Sequence, residues 1–193
     1  MTNNCHPDFP PVPQFVESER LLIRPSTRAD APYLKKWWND PAITAQGGNV
    51  DGMQYDDDDI EAWFRRYVDG RDACRTHFVI CLQNRAQTPI GEFYIASDDR
   101  PGSVGVALIL GRAEFWEQGY AAEALRAYVA ALFETGFCGA VRLDTRVNNK
   151  RAIQMCEEVS FEVEHVWANG LFQTMILTED AFRLKHTPTQ DQS

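Results

Sequence analysis

The sequence predicts an α+β domain, on three observations. His77 to Leu82 and Ile90 to Ala96 read as antiparallel strands joined by a polar turn. From Ala122 to Gly136, Leu125, Val129, Leu132 and Phe133 recur at helical spacing. Beyond that helix, Val141, Leu143, Thr145 and Val147 alternate with Arg142, Asp144 and Arg146, which is the period of a half-buried strand.

The elements follow in order along the chain. Residues 1–18, with Pro7, Pro10, Pro11 and Pro13, are expected to form an irregular arm. Residues 19–185 read as one domain and 186–193 as a flexible tail. Leu21 to Arg24 is a short strand, and Ala29 to Asn39 a helix that packs Leu34, Trp37 and Trp38. A loop from Ala42 to Tyr55 contains Gly47, Gly48 and Gly52. The next helix carries the apolar stripe Ile60, Trp63, Phe64, Tyr67 and Val68. Before it stands the run Asp56 to Asp59. A metal site or a clamp for a polycation is the tempting reading, but carboxylates in a first helical turn cap free N–H groups and complement the dipole. Ser103 to Gly111 is a third strand. Asn149 caps a helix whose apolar face is Ala152, Met155, Cys156 and Val159, ending before Ser160 and Phe161. Leu171 to Leu177 is the last strand and Glu179 to Leu184 a terminal helix.

Composition narrows the function. With 193 residues and 44% apolar content, the chain can bury a sizeable core without disulfides or metal. Its five cysteines show no C-x-x-C spacing and its four histidines no ligand spacing, so neither a disulfide framework nor a metal site is expected. No apolar stretch reaches the roughly 18 residues that cross a bilayer, and no signal-peptide core is visible; no membrane partner and a cytoplasmic location are expected. A net charge of -9 argues against a nucleic-acid partner and favours an amine acceptor.

Trp116, Glu117, Gln118, Gly119, Tyr120 and Ala121 form a turn that opens into the helix at Ala122. A helix start carries about four unpaired N–H groups and roughly half a positive charge, and small residues at Gly119 and Ala121 leave it bare. This pattern reads as a pyrophosphate cradle.

With the cradle in place, the chain resembles the GCN5-related N-acetyltransferases (GNAT). Their Arg/Gln-x-x-Gly-x-Gly/Ala turn corresponds to Trp116-x-x-Gly119-x-Ala121, and their downstream signature to Asn149-x-x-Ala152-Ile153 followed by Ser160-Phe161. The opening Glu19 to Pro25, Trp38 to Pro41, and Phe115-Trp116 are similar to the RimJ/RimL branch, which acetylates protein N-termini or small amines. The resemblance runs from about Glu19 to Arg183. It implies a mixed, mostly antiparallel sheet splayed at its centre and flanked by helices, with acetyl-CoA as the donor held by residues 116–122, Asn149 and Arg151. The backbone of Ile109, Leu110 and Gly111 would meet the thioester, and the Leu110 N–H would stabilise the oxyanion. Many relatives carry a proton-donating tyrosine where Cys156 stands, so Cys156 is an acid or simply packed. Glu114 and Asp144 are the acids nearest the splay; each is a base or a structural residue. Aminoglycoside 6'-N-acetyltransferases are also similar, in Asp144, Arg151-Ala152-Ile153 and Met175, but their strand acid would fall near Ala107 and is missing. A non-catalytic acyl-CoA sensor is the other alternative. Either a monomer or a homodimer fits.

Overall fold

The computed structural model describes residues 12–70 and 74–186. Its first part runs through β1 (Val16–Glu17), β2 (Leu21–Pro25), α1 (Ala31–Asn39), α2 (Pro41–Thr44) and α3 (Asp57–Tyr67). Three long strands follow, β3 (Arg75–Leu82), β4 (Pro89–Ser97) and β5 (Ser103–Leu110). Helix α4 (Tyr120–Glu134), strand β6 (Ala140–Arg146) and helix α5 (Lys150–Val159) come next. Strands β7 (Glu162–Trp167) and β8 (Phe172–Thr178) and helix α6 (Glu179–His186) complete the described chain.

All eight strands join one sheet, in the order β1-β2-β3-β4-β5-β6-β8-β7. Neighbours are antiparallel except β5 and β6, which run parallel. Side chains alternate between the faces of a strand, so the sheet has a core on each side. On one face Phe78, Phe93, Ile95, Val106 and Leu143 pack with Leu125, Tyr128 and Val129 of α4 and Cys156 of α5. On the other, Trp37 and Trp38 of α1 meet Ile60 and Phe64 of α3. There Glu92 is buried, accepting from the Trp38 indole at 2.8 Å and pairing with His77 Nδ1 at 2.7 Å.

Local signals behave as the physical chemistry demands. Asp56 caps α3 and forms a reciprocal capping box with Asp59, which accounts for the acidic run without a ligand. Asn149 Oδ1 accepts from the Ala152 N–H at 3.2 Å and starts α5.

Four details correct the sequence reading. Val12 and Val16 are buried in the core and Val16–Glu17 forms β1, so the chain is already packed within the stretch read as an irregular arm. Residues 1–11 and 187–193 lie outside the described chain. A short helix, Pro41–Thr44, occupies the start of the glycine-rich loop. Strand β7 was not anticipated, because all six of its residues are exposed and leave no burial pattern to read; its register with β8 also shifts between Val163 and His165. Finally, Cys81, Cys138 and Cys156 are free, whereas Cys74 is disulfide-bonded, against the expectation drawn from cysteine spacing. Among the described residues, no helix is long and apolar enough to cross a membrane.

Candidate active site

Strands β5 and β6 pair through only three rungs, Ser103↔Ala140, Val104↔Val141 and Gly105↔Arg142. Beyond Gly105 they part, while β5 stays paired with β4 as far as Leu110. One edge of β5 is therefore open. The register decides which amides face it. Gly111 donates to the Ile90 carbonyl at 2.8 Å, and the Ile109 carbonyl lies 2.4 Å from the position a Cβ on Gly91 would take. Backbone directions alternate along a strand, so Ile109 and Gly111 face β4 while Val106, Leu108 and Leu110 face the gap.

This sorts the backbone residues expected at the thioester. Leu110 presents its N–H to the gap, as the oxyanion role requires. Ile109 and Gly111 spend their amides on β4. The reason for glycine at 111 is packing, since a Cβ there would fall 2.0 Å from the Trp37 ring.

At the mouth of the gap the chain turns into α4. Gly119 sits at φ 78 and Glu117 at φ 59, both in the left-handed region. This conformation turns successive amides to one side, as in an anion-binding nest. The first helical bond in α4 is Glu123 N–H to Gly119 carbonyl, and among the described residues no protein group accepts from the amides of residues 117–122. A diphosphate fits this donor set, and among the described residues only the Arg20 guanidinium, at 3.5 Å, approaches the space beside Gly119.

Arg20 stands beside this turn, which sequence reasoning missed. Its guanidinium bonds the Glu123 carboxylate at 2.6 Å, donates to the Gln118 carbonyl at 3.1 Å and lies over the Tyr120 ring at 4.1 Å. In a trans peptide the C=O and N–H point in opposite directions. Holding the Gln118 carbonyl thus turns the Gly119 N–H outward. Glu123 also accepts from Ser18 Oγ at 2.7 Å and the Arg20 amide at 2.9 Å. Partial burial works to raise this carboxyl, but the bonds from Ser18 and Arg20 outweigh it and hold the group ionised below its ordinary range. The one available signal was the Glu19-Arg20 opening, and nothing local says that it meets the cradle.

Trp116 and Arg151 close the mouth on the other side. The indole Nε1 donates to the Leu110 carbonyl at 3.0 Å, and the Arg151 guanidinium lies 4.3 Å over the ring while pairing with Glu117 at 3.3 Å.

Where the strands begin to part, the face bearing Tyr94 and Asp144 opens into a cavity of about 410 Å³. Ala96, Gly105 and Ala107 line it with small side chains, and Asp144 and Thr174 stand on the β6 and β8 side. Asp144 is exposed and its Oδ1 accepts from the Thr174 hydroxyl at 2.6 Å. The other proposed acid, Glu114, lies in a 3-10 turn before the cradle, paired with Arg112 and outside the cavity lining. Cys156 is fully buried, and burial pushes its thiol up to about 12. It packs beneath the sheet on the α4 and α5 side and does not line the cavity.

A sheet that parts beside a bare helix start suits a class of enzyme that lays an acyl thioester between two strands. Residues 20–162 match the acetyltransferase (GNAT) domain family, and the chain belongs to that family of N-acetyltransferases. Solved structures agree on the fold. An acetyltransferase of the GNAT family from Bacillus anthracis is 15% identical, with 86% of this chain and 99% of that one covered at a TM-score of 0.72. The aminoglycoside acetyltransferase AAC(6')-Ib, solved with ribostamycin and coenzyme A, is 22% identical, with 89% and 99% covered at 0.72. A spermidine N-acetyltransferase from Vibrio cholerae, solved with CoA and spermine, is 18% identical, with 86% and 99% covered at 0.69. No curated protein matches the chain.

Proposed function

We propose that this protein moves the acetyl group of acetyl-CoA to a primary amine by direct attack in a ternary complex, the acceptor being a small amine or a protein N-terminus. The observation that carries the reading is the gap itself. The Leu110 amide borders it from β5 and Asp144 stands at its β6 side, while the unbonded amides of residues 117–122 wait at its mouth.

Each group has a task in this reading. The cradle, oriented by Arg20 through the Gln118 carbonyl, holds the diphosphate, and the open edge of β5 aligns the pantetheine and thioester. An amine is mostly protonated at neutral pH, so Asp144 takes a proton before the nitrogen attacks. The Leu110 N–H then receives the developing oxyanion. Positioning of two reactants supplies about 7 to 11 kcal/mol of such a barrier. Burial excludes Cys156 from the proton path, so the CoA thiolate leaves unaided or takes a proton from water. The aminoglycoside enzymes' strand acid would fall near Ala107, and the stretch Val104 to Leu110 has none, which makes an aminoglycoside the less favoured acceptor.

The test is titration of acetyl-CoA against a panel of amines while free thiol is followed. Acceptor-dependent thiol release is expected. Saturable binding with no release from any amine would replace the enzyme with an acyl-CoA sensor.

A further inference from the structure

The cavity holds a charge that acetyl transfer to a simple amine does not use. Arg75, at the start of β3, lays its guanidinium 4.7 Å from the Tyr94 ring and 5.4 Å from the Tyr67 ring. Among the described residues no carboxylate pairs with it, although it lines the same cavity as Asp144. The other two arginines there are committed. Arg142 holds Glu164 and Asp98, and Arg100 holds Glu164. Asp98 in turn takes hydrogen bonds from Ser103 and the Arg100 amide. On the opposite wall, Oδ1 of Asp144 takes the Thr174 hydroxyl, and among the described residues nothing donates to Oδ2.

The Arg75 guanidinium and the open Asp144 oxygen therefore face a floor of Ala96, Gly105 and Ala107, with the Asp99 carboxylate also in the lining. The sheet order sets their spacing. Arg75 leans from β3 over Tyr94 of β4, and because β5 and β6 part beyond Gly105 this leaves at least two strand spacings, roughly 10 Å or more, to Asp144 on β6. A charge-assisted hydrogen bond takes about 2.8 Å at each end. What remains suits an amine and a carboxylate roughly 4 Å or more apart.

We propose that the acceptor is an amino acid, its amine placed by Asp144 and its carboxylate by Arg75. The inference rests on the transfer reading above. Guanidinium suits the role, because its planar fork binds a carboxylate with two parallel bonds and stacking on Tyr94 and Tyr67 pre-sets its orientation. In the reaction the ammonium gives one proton to Asp144, which passes it to solvent. The C–N bond forms as the C–S bond breaks; a second proton leaves nitrogen for water, and the CoA thiolate leaves unaided or takes a proton from water. A polycation would have to bring excess positive charge against Arg75.

The test compares kcat/KM, at saturating acetyl-CoA, for α-, β- and γ-amino acids and for the carboxamide of each, with spermidine and an aminoglycoside as polycations. At least one acid is expected to exceed its amide by about ten-fold or more. Arg75→Met should erase that preference through KM for the acid, leaving the amide's kcat/KM and the CoA dissociation constant in place. Arg75→Lys should keep part of it and guards against a folding defect in the first variant. Equal rates for acid and amide, better turnover of the polycations, or equal loss on both members of a pair in Arg75→Met would overturn the inference alone. No transfer to any amine would overturn it together with the transfer reading.

Discussion

The Trp116 indole donates a 3.0 Å hydrogen bond to the Leu110 carbonyl. That contact ties the end of β5 to the turn before α4 and satisfies the carbonyl beside the open amide. Trp116→Phe keeps the ring under Arg151 and deletes the donor. We expect a loss of about 1 kcal/mol in stability by denaturant unfolding and several-fold weaker CoA binding by calorimetry. Unchanged CoA affinity would reduce the contact to packing.

Arg20 joins β2 to the cradle through Glu123 and the Gln118 carbonyl. Arg20→Met frees that peptide and leaves the Glu123 charge uncompensated in the first turn of α4. Weakening of CoA binding by roughly ten-fold or more is expected, since bonds to charged groups contribute about 1.5 to 3 kcal/mol. An acetyl-pantetheine donor, which lacks the diphosphate, should bind both proteins equally; parallel losses would point to general unfolding of the site.

Asp144→Asn removes the proton acceptor but keeps the shape and an oxygen for Thr174. Turnover is expected to fall about a hundred-fold or more, with acetyl-CoA affinity retained. A variant as active as the parent, with the same pH profile, would move the base elsewhere.

Cys156→Ala should cost about 1 kcal/mol of stability, as loss of a buried side chain does, and leave the rate per folded molecule unaltered. Slowed turnover at full stability would restore a chemical role to the thiol.

Glu164 predicts a pH dependence. The side-chain bond from Arg142, reinforced by Arg100, holds its carboxyl down at about 2. A depressed carboxylate stabilises the fold fully above its unfolded value, near 4.5, and that contribution fades as pH falls toward about 2. Denaturation midpoints of the parent and Glu164→Gln should therefore differ by a constant amount from neutrality down to about pH 5 and converge near pH 2. High salt should narrow the gap, because the group is partly exposed.

Much of this architecture was legible because it is written locally. Helical spacing located α4, Asn149 announced α5, and Gly119 with Ala121 marked the bare helix start. The Asp56 to Asp59 run was read correctly as a cap. Distant partnerships left no such trace. Arg20 reaches the cradle only because β2 enters the sheet beside α4, and Arg75 shares a cavity with Asp144 only because three strand pairings bring them together. The parity that opens Leu110 and closes Ile109 needs the β4 register. In β7 exposure removed the alternation that normally betrays a strand, and the Cys74 bond has no spacing signature.

The shift between Val163 and His165 has an outcome beyond the catalytic face. As the last strand of the sheet, β7 offers its outer border to water, with Val163 and Val166 each 53% exposed. A flat border of that kind invites further chains to add on, whereas a kinked one flanked by Glu162 and Glu164 cannot match an incoming strand rung for rung. That irregularity guards the molecule against growing into fibres.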